Sequence, residues 1–435
     1  MKALTYSDQD RFSARSVLDL SQPQSNQPQN QPSSPSPFLP LKAFNFFLYG
    51  AIAVFASFFP LYLQDGGMSK LEIGTLMAIG PFVSLIANPF WGYLGDRLEN
   101  TRRMLILMLA GTLVLSQFVF HVQSYAMIYL AMIAFYFFQS PVFAQSNTMI
   151  LGYIDGTNRK FGGFRLWGSL GWALTAAAAG FVIDRAGTSP GVPWLFTGLI
   201  GATLLVAVVL PSLRRPAATS IVAPGGFGKV LANPTFASFL LLGVLVSIPN
   251  AMNGTFMTLY ITDLGGSRQM VGWAVFSASA VEALFFLLFD RFFRKKLGFM
   301  MVCLTVVSAL FAVRWYLMST VTDPMHIVYI QMLHSVTYAG YFYVGTLMTS
   351  MFVPTAYRGT GQALFTLSWS GVSGIVAGIL GGWMFDNFGA PMMYQSGTVL
   401  SVIGAVGFTA MGYTLYRSGQ LTPAAASNVS AGSKR

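Results

Sequence analysis

Three ionisable side chains stand where such groups are seldom found. Glu282, Arg314 and His334 fall deep inside long apolar stretches of a 435-residue chain. Every other member of its 14 Asp and Glu lies in a tail, in a loop or at the end of such a stretch. A charge at the middle of a bilayer costs about 2.5–3.5 kcal/mol on insertion scales. Three of them on successive stretches are best explained by mutual pairing around a cavity. A carboxyl, a guanidinium and an imidazole so placed can hold a proton or hydrogen-bond a polar solute. The plainer alternatives are an ion pair that only locks two helices, and a hydrogen-bonded core histidine.

The elements that must position them are membrane helices. The chain is 54% hydrophobic and 9% charged, against roughly 25% charged in an average soluble domain. So few charges cannot cover the surface of a water-soluble protein of this size. About 20 apolar residues cross the hydrocarbon core, and twelve such stretches are present: 41–64, 71–95, 103–122, 124–151, 163–186, 193–213, 236–263, 270–290, 296–319, 325–352, 358–386 and 391–416. The runs are too long for strands, and their many Gly and Pro suit membrane helices. Cys303 is the one cysteine, so no intrachain disulfide can form. The predicted fold class is all-α integral membrane, with twelve transmembrane helices.

The net charge of +11 raises the question of a nucleic-acid partner, and its distribution answers it. Assigning alternate loops to opposite sides leaves only Lys70, Arg185 and Arg268 in the outer loops and Arg314 inside a span. The rest of the 25 Lys and Arg fall on the inner side. That bias is the positive-inside rule. It places both termini in the cytoplasm of a multi-pass protein in the inner membrane, and it argues for no nucleic-acid partner. Residues 1–40 are rich in Gln, Pro, Ser and Asn, which predicts a disordered cytoplasmic tail. They lack the charged start and short apolar run of a signal peptide. Residues 214–235 read as a cytoplasmic linker between six-helix bundles at 41–213 and 236–417, and 418–435 as a second tail.

The two halves echo each other. Span two closes with Gly92-x-x-x-Asp96-Arg97, and span eight with Asp290-Arg291, each followed by further basic residues. Span five ends Gly180-Phe-Val-Ile-Asp184-Arg-Ala-Gly187, and span eleven Gly382-Trp-Met-Phe-Asp386-Asn-Phe-Gly389. Weak internal symmetry of this kind marks a duplicated six-helix unit.

Gly92-x-x-x-Asp96-Arg97 resembles the loop signature of the major facilitator superfamily, with Glu99 where that family has Gly and Phe286 for Gly in the second copy. The Gly allows close helix approach, and the Asp can cap a helix or pair with an Arg across a cytoplasmic gate. Gly92, Asp96, Arg97, Asp290 and Arg291 are the candidate gate residues. Arg165-Leu-Trp-Gly-Ser169-Leu-Gly-Trp172 in span five and Gln331-Met-Leu-His334 in span ten, beside Glu282 and Arg314, resemble the lactose permease group of proton symporters and the related phenylpropionate-permease-like transporters.

The resemblance implies the major facilitator fold, two pseudo-symmetric six-helix bundles with alternating access around a central cavity. It implies that Arg165 contacts the solute, that Trp172 forms a platform for its ring and that Ser169 lines the pocket. Arg314 and His334 complete the solute site from the other half. Two family carboxylates have no counterpart: Thr337 follows His334 by one turn, and Asn147 or Ala144 occupies the span-four position. Proton coupling therefore falls to Glu282, with help from His334. The proton affinity of a carboxyl depends on its burial and on its distance from an Arg, so movement between two access states could switch it.

No H-E-x-x-H pair, phosphate-binding loop or His/Cys metal cluster is present, so neither a catalytic residue nor a metal site is expected, and no cofactor beyond a proton gradient. The reading is a monomeric secondary active transporter, a proton-coupled symporter of a small organic solute. An organic anion such as an aromatic carboxylate is slightly favoured over a sugar or nucleoside. A proton-driven efflux antiporter and a non-transporting membrane sensor are the rival readings. Span five lacks the proline of the glycine-proline motif that marks such antiporters.

Overall fold

The computed structural model describes residues 38–419 except 99, 123, 156, 211–225 and 293–295. Most of the tail expected at 1–40, much of the linker expected at 214–235 and nearly all of 418–435 lie outside the described residues. Within residues 37–435 the chain is one compact unit, and among the described residues all regular structure is helical. The first half contributes α1 (Phe38–Asp65), α2 (Lys70–Leu98), α3 (Thr101–His121), α4 (Tyr125–Gln139), α5 (Val142–Ile154), α6 (Phe161–Ala186) and α7 (Thr188–Val209). A short α8 (Gly226–Leu231) leads into α9 (Pro234–Asp263), α10 (Arg268–Phe292), α11 (Leu297–Ser319), α12 (Pro324–Ile330) and α13 (Met332–Phe352). The chain ends in α14 (Arg358–Thr366), a π turn at Leu367–Val372 and α15 (Ser373–Arg417).

Local chemistry sets the helix ends. Asn100, Asn233 and Asp323 cap α3, α9 and α12 by accepting hydrogen bonds from first-turn backbone N–H groups. Nine helical stretches among the described residues are long and apolar enough to cross a membrane. One of them, Thr355–Arg417, has 63 residues, about 95 Å if straight, three times the ~30 Å hydrocarbon core. It breaks at Gly389, whose φ of 80° no β-carbon residue adopts cheaply. Gly187, at the matching place in the first half, has φ 87°, and the turns after α1 and α9 use Gly67 and Gly265 at 89° and 82°. The duplication visible in the sequence thus recurs in the backbone. Large apolar side chains such as Leu205, Val209, Leu241 and Val399 face outward, as lipid solvation requires.

Within each half the helices pack on one another: α1 against α6 and α7, α9 and α11 against α15, and α10 against α13. Between the halves, α2 lies along α15 and α6 along α10. These seams are lined by small residues because backbones meet there. A methyl group on Gly180 would sit 2.7 Å from the Arg268 carbonyl oxygen, and one on Gly272 2.7 Å from that of Ala176. The tight seams gather at the end that carries Asp65 and Arg268. At the other end, which carries Arg97 and Arg358, α5 packs on α3 and α6, and α13 on helices of its own half.

Backbone atoms at these seams have no flexible side chain to yield. Gly272→Val should therefore destabilise the folded protein by about 1–3 kcal/mol, read as a lowered thermal midpoint in detergent. Gly198 is exposed on α7 with nothing within 4 Å of its added β-carbon, so Gly198→Val should leave the midpoint within the scatter of surface changes, about 0.5 kcal/mol. Equal effects of the two substitutions would contradict the close-packed seam.

Candidate functional site

On α6, Arg165, Ser169 and Trp172 are four and then three residues apart, which stacks them on one helix face. Gly168 lies among them and lets α1 approach: a methyl group there would meet Tyr49 Cδ2 at 2.8 Å. The Arg165 guanidinium lies over the Tyr49 ring, 4.3 Å from its centroid, and Nη1 donates to Ser169 Oγ at 3.5 Å. Tyr49 is held from behind by Phe143, edge to face at 4.8 Å. Trp172 is half-buried and packs against the hydrophobic core.

The opposite half supplies the counter-charge. Glu282 is half-buried on α10, which packs against α6, the helix that carries Arg165. Among the described residues Glu282 forms no direct ion pair. Tyr338 is on α13, which packs against α10. Arg165 and Tyr49 of the first half thus meet directly, and the helices that carry Glu282 and Tyr338 pack beside α6 and on each other.

Arg314 lies elsewhere. Its side chain is fully buried within the second half. Nη2 donates to Gln331 Oε1 at 2.5 Å, Nη1 lies 3.1 Å from His334 Nδ1, and the guanidinium carbon sits 4.4 Å from the Trp315 ring centroid. Gln331 in turn meets Asn253 at 3.4 Å, and Tyr394 Oη donates to Asn253 Oδ1 at 3.1 Å. A guanidinium can only donate, so His334 Nδ1 is the acceptor and the imidazole is neutral, with its proton on Nε2. The His334 ring stacks on Tyr338 at 5.1 Å, which ties this buried network to the inter-bundle group.

The expected pairing of Glu282 with Arg314 is not formed. The reason is where the helices face. Arg314 is fully buried and takes Gln331 and His334 of its own half as partners, whereas Glu282 stands on α10, a helix that packs on both α6 and α13. The structure brings Arg314 to His334 and Gln331. At the expected gate, a methyl group on Gly92 would meet nothing within 4 Å, so no close approach occurs there. Arg97 is exposed and covers Tyr93 of its own helix at 5.2 Å. The side chains of Asp96, Asp290 and Arg291 lie outside the described residues.

Sequence reasoning missed Tyr49, Asn253, Tyr338 and Tyr394. Tyr338 follows His334 by one helical turn, a signal that was available. Asn253 is a mid-span amide that a search restricted to charges passes over. Tyr49 and Tyr394 carry no local mark that separates them from the many other membrane tyrosines.

The family model of the MFS_1 like family matches residues 38–396. The chain is 26% identical over 382 residues to an uncharacterized transporter, YwbF, of Bacillus subtilis (strain 168), covering 86% of this chain and 92% of that one. It is 26% identical over 374 residues to the maltose permease of Geobacillus stearothermophilus, covering 83% and 90%. Among solved structures, the nucleoside transporter NupG matches with a TM-score of 0.73 at 15% identity, over 86% of this chain and 98% of that one. That likeness shows the fold.

The division of partners has a measurable consequence. In a thermal-unfolding double-mutant cycle, Arg165→Gln and Glu282→Gln should couple by about 0.5–3 kcal/mol, because each changes the other's field. Arg314→Gln and Glu282→Gln should add within about 0.5 kcal/mol. Strong coupling of the second pair would restore the Glu282–Arg314 bridge.

Proposed function

The chain belongs to the MFS_1-like family, a membrane transporter and not an enzyme, and we propose that it carries a sugar or nucleoside together with a proton. The observation that carries this reading is the face of α6 that bears Arg165, stacked over Tyr49 at 4.3 Å, on a helix packed against α10, which carries Glu282. One carboxyl and one guanidinium make a site of balanced charge, with an acceptor and a donor suited to hydroxyl groups. The flanking rings of Tyr49 and Tyr338 offer flat faces for a sugar ring or a base. Arg314, fully buried and already engaged by Gln331 and His334, does not add its charge to that surface. An organic anion is therefore the less favoured solute. The relative named as a maltose permease supports the neutral class.

Glu282 is the proton carrier in this reading. It stands on α10 against α6, across the interface that must open and close, so a change of state alters its distance from Arg165. A neutral His334 acts as a donor through Nε2–H rather than as a proton carrier. Ser169 and Trp172 line the same face of α6 as Arg165. The nine apolar stretches, with Arg268–Phe292 and residues 324–352 added and Thr355–Arg417 divided at Gly389, make twelve crossings in two bundles of six. The charge bias along the sequence places both termini in the cytoplasm. The close-packed end then faces outward.

Vesicles holding the purified protein provide the test. Adding a nucleoside or maltose outside should accumulate solute and alkalinise the medium, whereas 3-phenylpropionate should do neither. In Glu282→Gln the alkalinisation should vanish while exchange of solute between the two faces survives. Unchanged alkalinisation removes Glu282 as the proton carrier, and accumulation of the acid alone replaces the neutral solute by an anion.

A further inference from the structure

Arg314 places a guanidinium with no exposed surface inside an apolar helix. Its two acceptors carry no charge: Gln331 Oε1, and Nδ1 of the neutral His334 ring. The ion pairs among the described residues, Lys70 with Asp263 and Arg268 with Asp65, lie at helix ends elsewhere. A guanidinium has five N–H donors, and its Nε–H finds no acceptor among the described residues. The next residue repeats the pattern. Trp315 is fully buried, with Phe311 and Tyr394 stacked on it at 5.9 and 6.0 Å, and its indole Nε1–H has no acceptor either. The guanidinium carbon is 4.4 Å from the Trp315 ring centroid, so the two free donors neighbour one another. Asn253 and Tyr394 extend the network by hydrogen bonds and bring no negative charge.

We propose that Arg314 Nε–H and Trp315 Nε1–H bind one halide-sized anion, chloride in the cell, inside the second bundle. A buried charge is tolerated when it is paired and its hydrogen-bonding groups are met. One monovalent anion does both: it cancels the single guanidinium charge and accepts from both N–H groups. A water molecule could accept a hydrogen bond there but cancels no charge. Sulfate or phosphate brings more oxygens and more charge than these donors can satisfy. A halide leaves no directional acceptor over, so the apolar rings of Phe311 and Tyr394 can lie close to it. With the anion on Nε–H, the Nη groups stay free to hold Gln331 and His334. Residues of α9, α11, α13 and α15 all join this network, so the bound anion stabilises the second bundle as a unit.

Solute-free protein provides the test, so failure here leaves the sugar or nucleoside reading standing. The purified chain is melted in sodium methanesulfonate and, at equal ionic strength, with chloride or bromide replacing it stepwise. Chloride and bromide should raise the thermal midpoint with the logarithm of their concentration once it exceeds the Kd, as a ligand of the folded state does. Sulfate should not. Trp315→Phe keeps an aromatic ring and removes one donor to the anion, so it should need roughly tenfold more chloride for the same rise. Arg314→Gln should show no response. Identical midpoints in methanesulfonate and chloride, or the parent's chloride response in Trp315→Phe, overturn the site. A midpoint raised by 3-phenylpropionate and not by bromide also overturns it, because Arg314 then receives a solute's carboxylate.

Discussion

Hydrocarbon offers a charge no water, and that constraint orders the molecule. Each ionisable group within the bilayer has to be partnered by protein, and the partners available are those that helix packing brings near. Arg314 is held within the second half by an amide and an imidazole, with its buried Nε left without a hydrogen-bond partner among the described residues. Glu282 and Arg165 sit on opposite bundles, and neither has a carboxylate–guanidinium partner within its own half among the described residues. The balance of that charge pair depends on how the two halves meet, which links electrostatics to conformation.

The seams between the halves answer the complementary problem. Lipid tails are as apolar as leucine, so burying leucine drives no association of membrane helices. Close approach of backbones does, and it requires Gly180, Gly272 and their small neighbours. Such surfaces fit when aligned and lose contact abruptly when rotated, because packed interfaces are bistable rather than continuously deformable. A glycine seam at one end therefore suits a change between two states.

The solute site and the seams share helices. α6 carries Arg165 and Ser169 at one level and Ala176 and Gly180 at another, and α10 carries Gly272 and Glu282. A shift that parts Gly180 from Gly272 moves Arg165 relative to Glu282, since each pair is rigidly fixed along the same two helices.

The sequence by itself determined the solvent, the all-helical class, the duplication and the rarity of Glu282, Arg314 and His334 within apolar runs. Composition and period are properties of the chain, and a bilayer leaves helices as the economical way to satisfy the backbone. Family membership was legible in the same way, through Gly92-x-x-x-Asp96-Arg97 and the Arg165–Trp172 string. Partner choice was not legible. Glu282 and Arg314 share the depth expected of an ion pair, but the rotation of α10 toward α6 and of α11 toward α15 sends them apart. Contacts such as Lys70 with Asp386 join residues more than three hundred positions apart. Only the packing of one half on the other could decide them, because helix orientation is a collective outcome that no local stretch encodes.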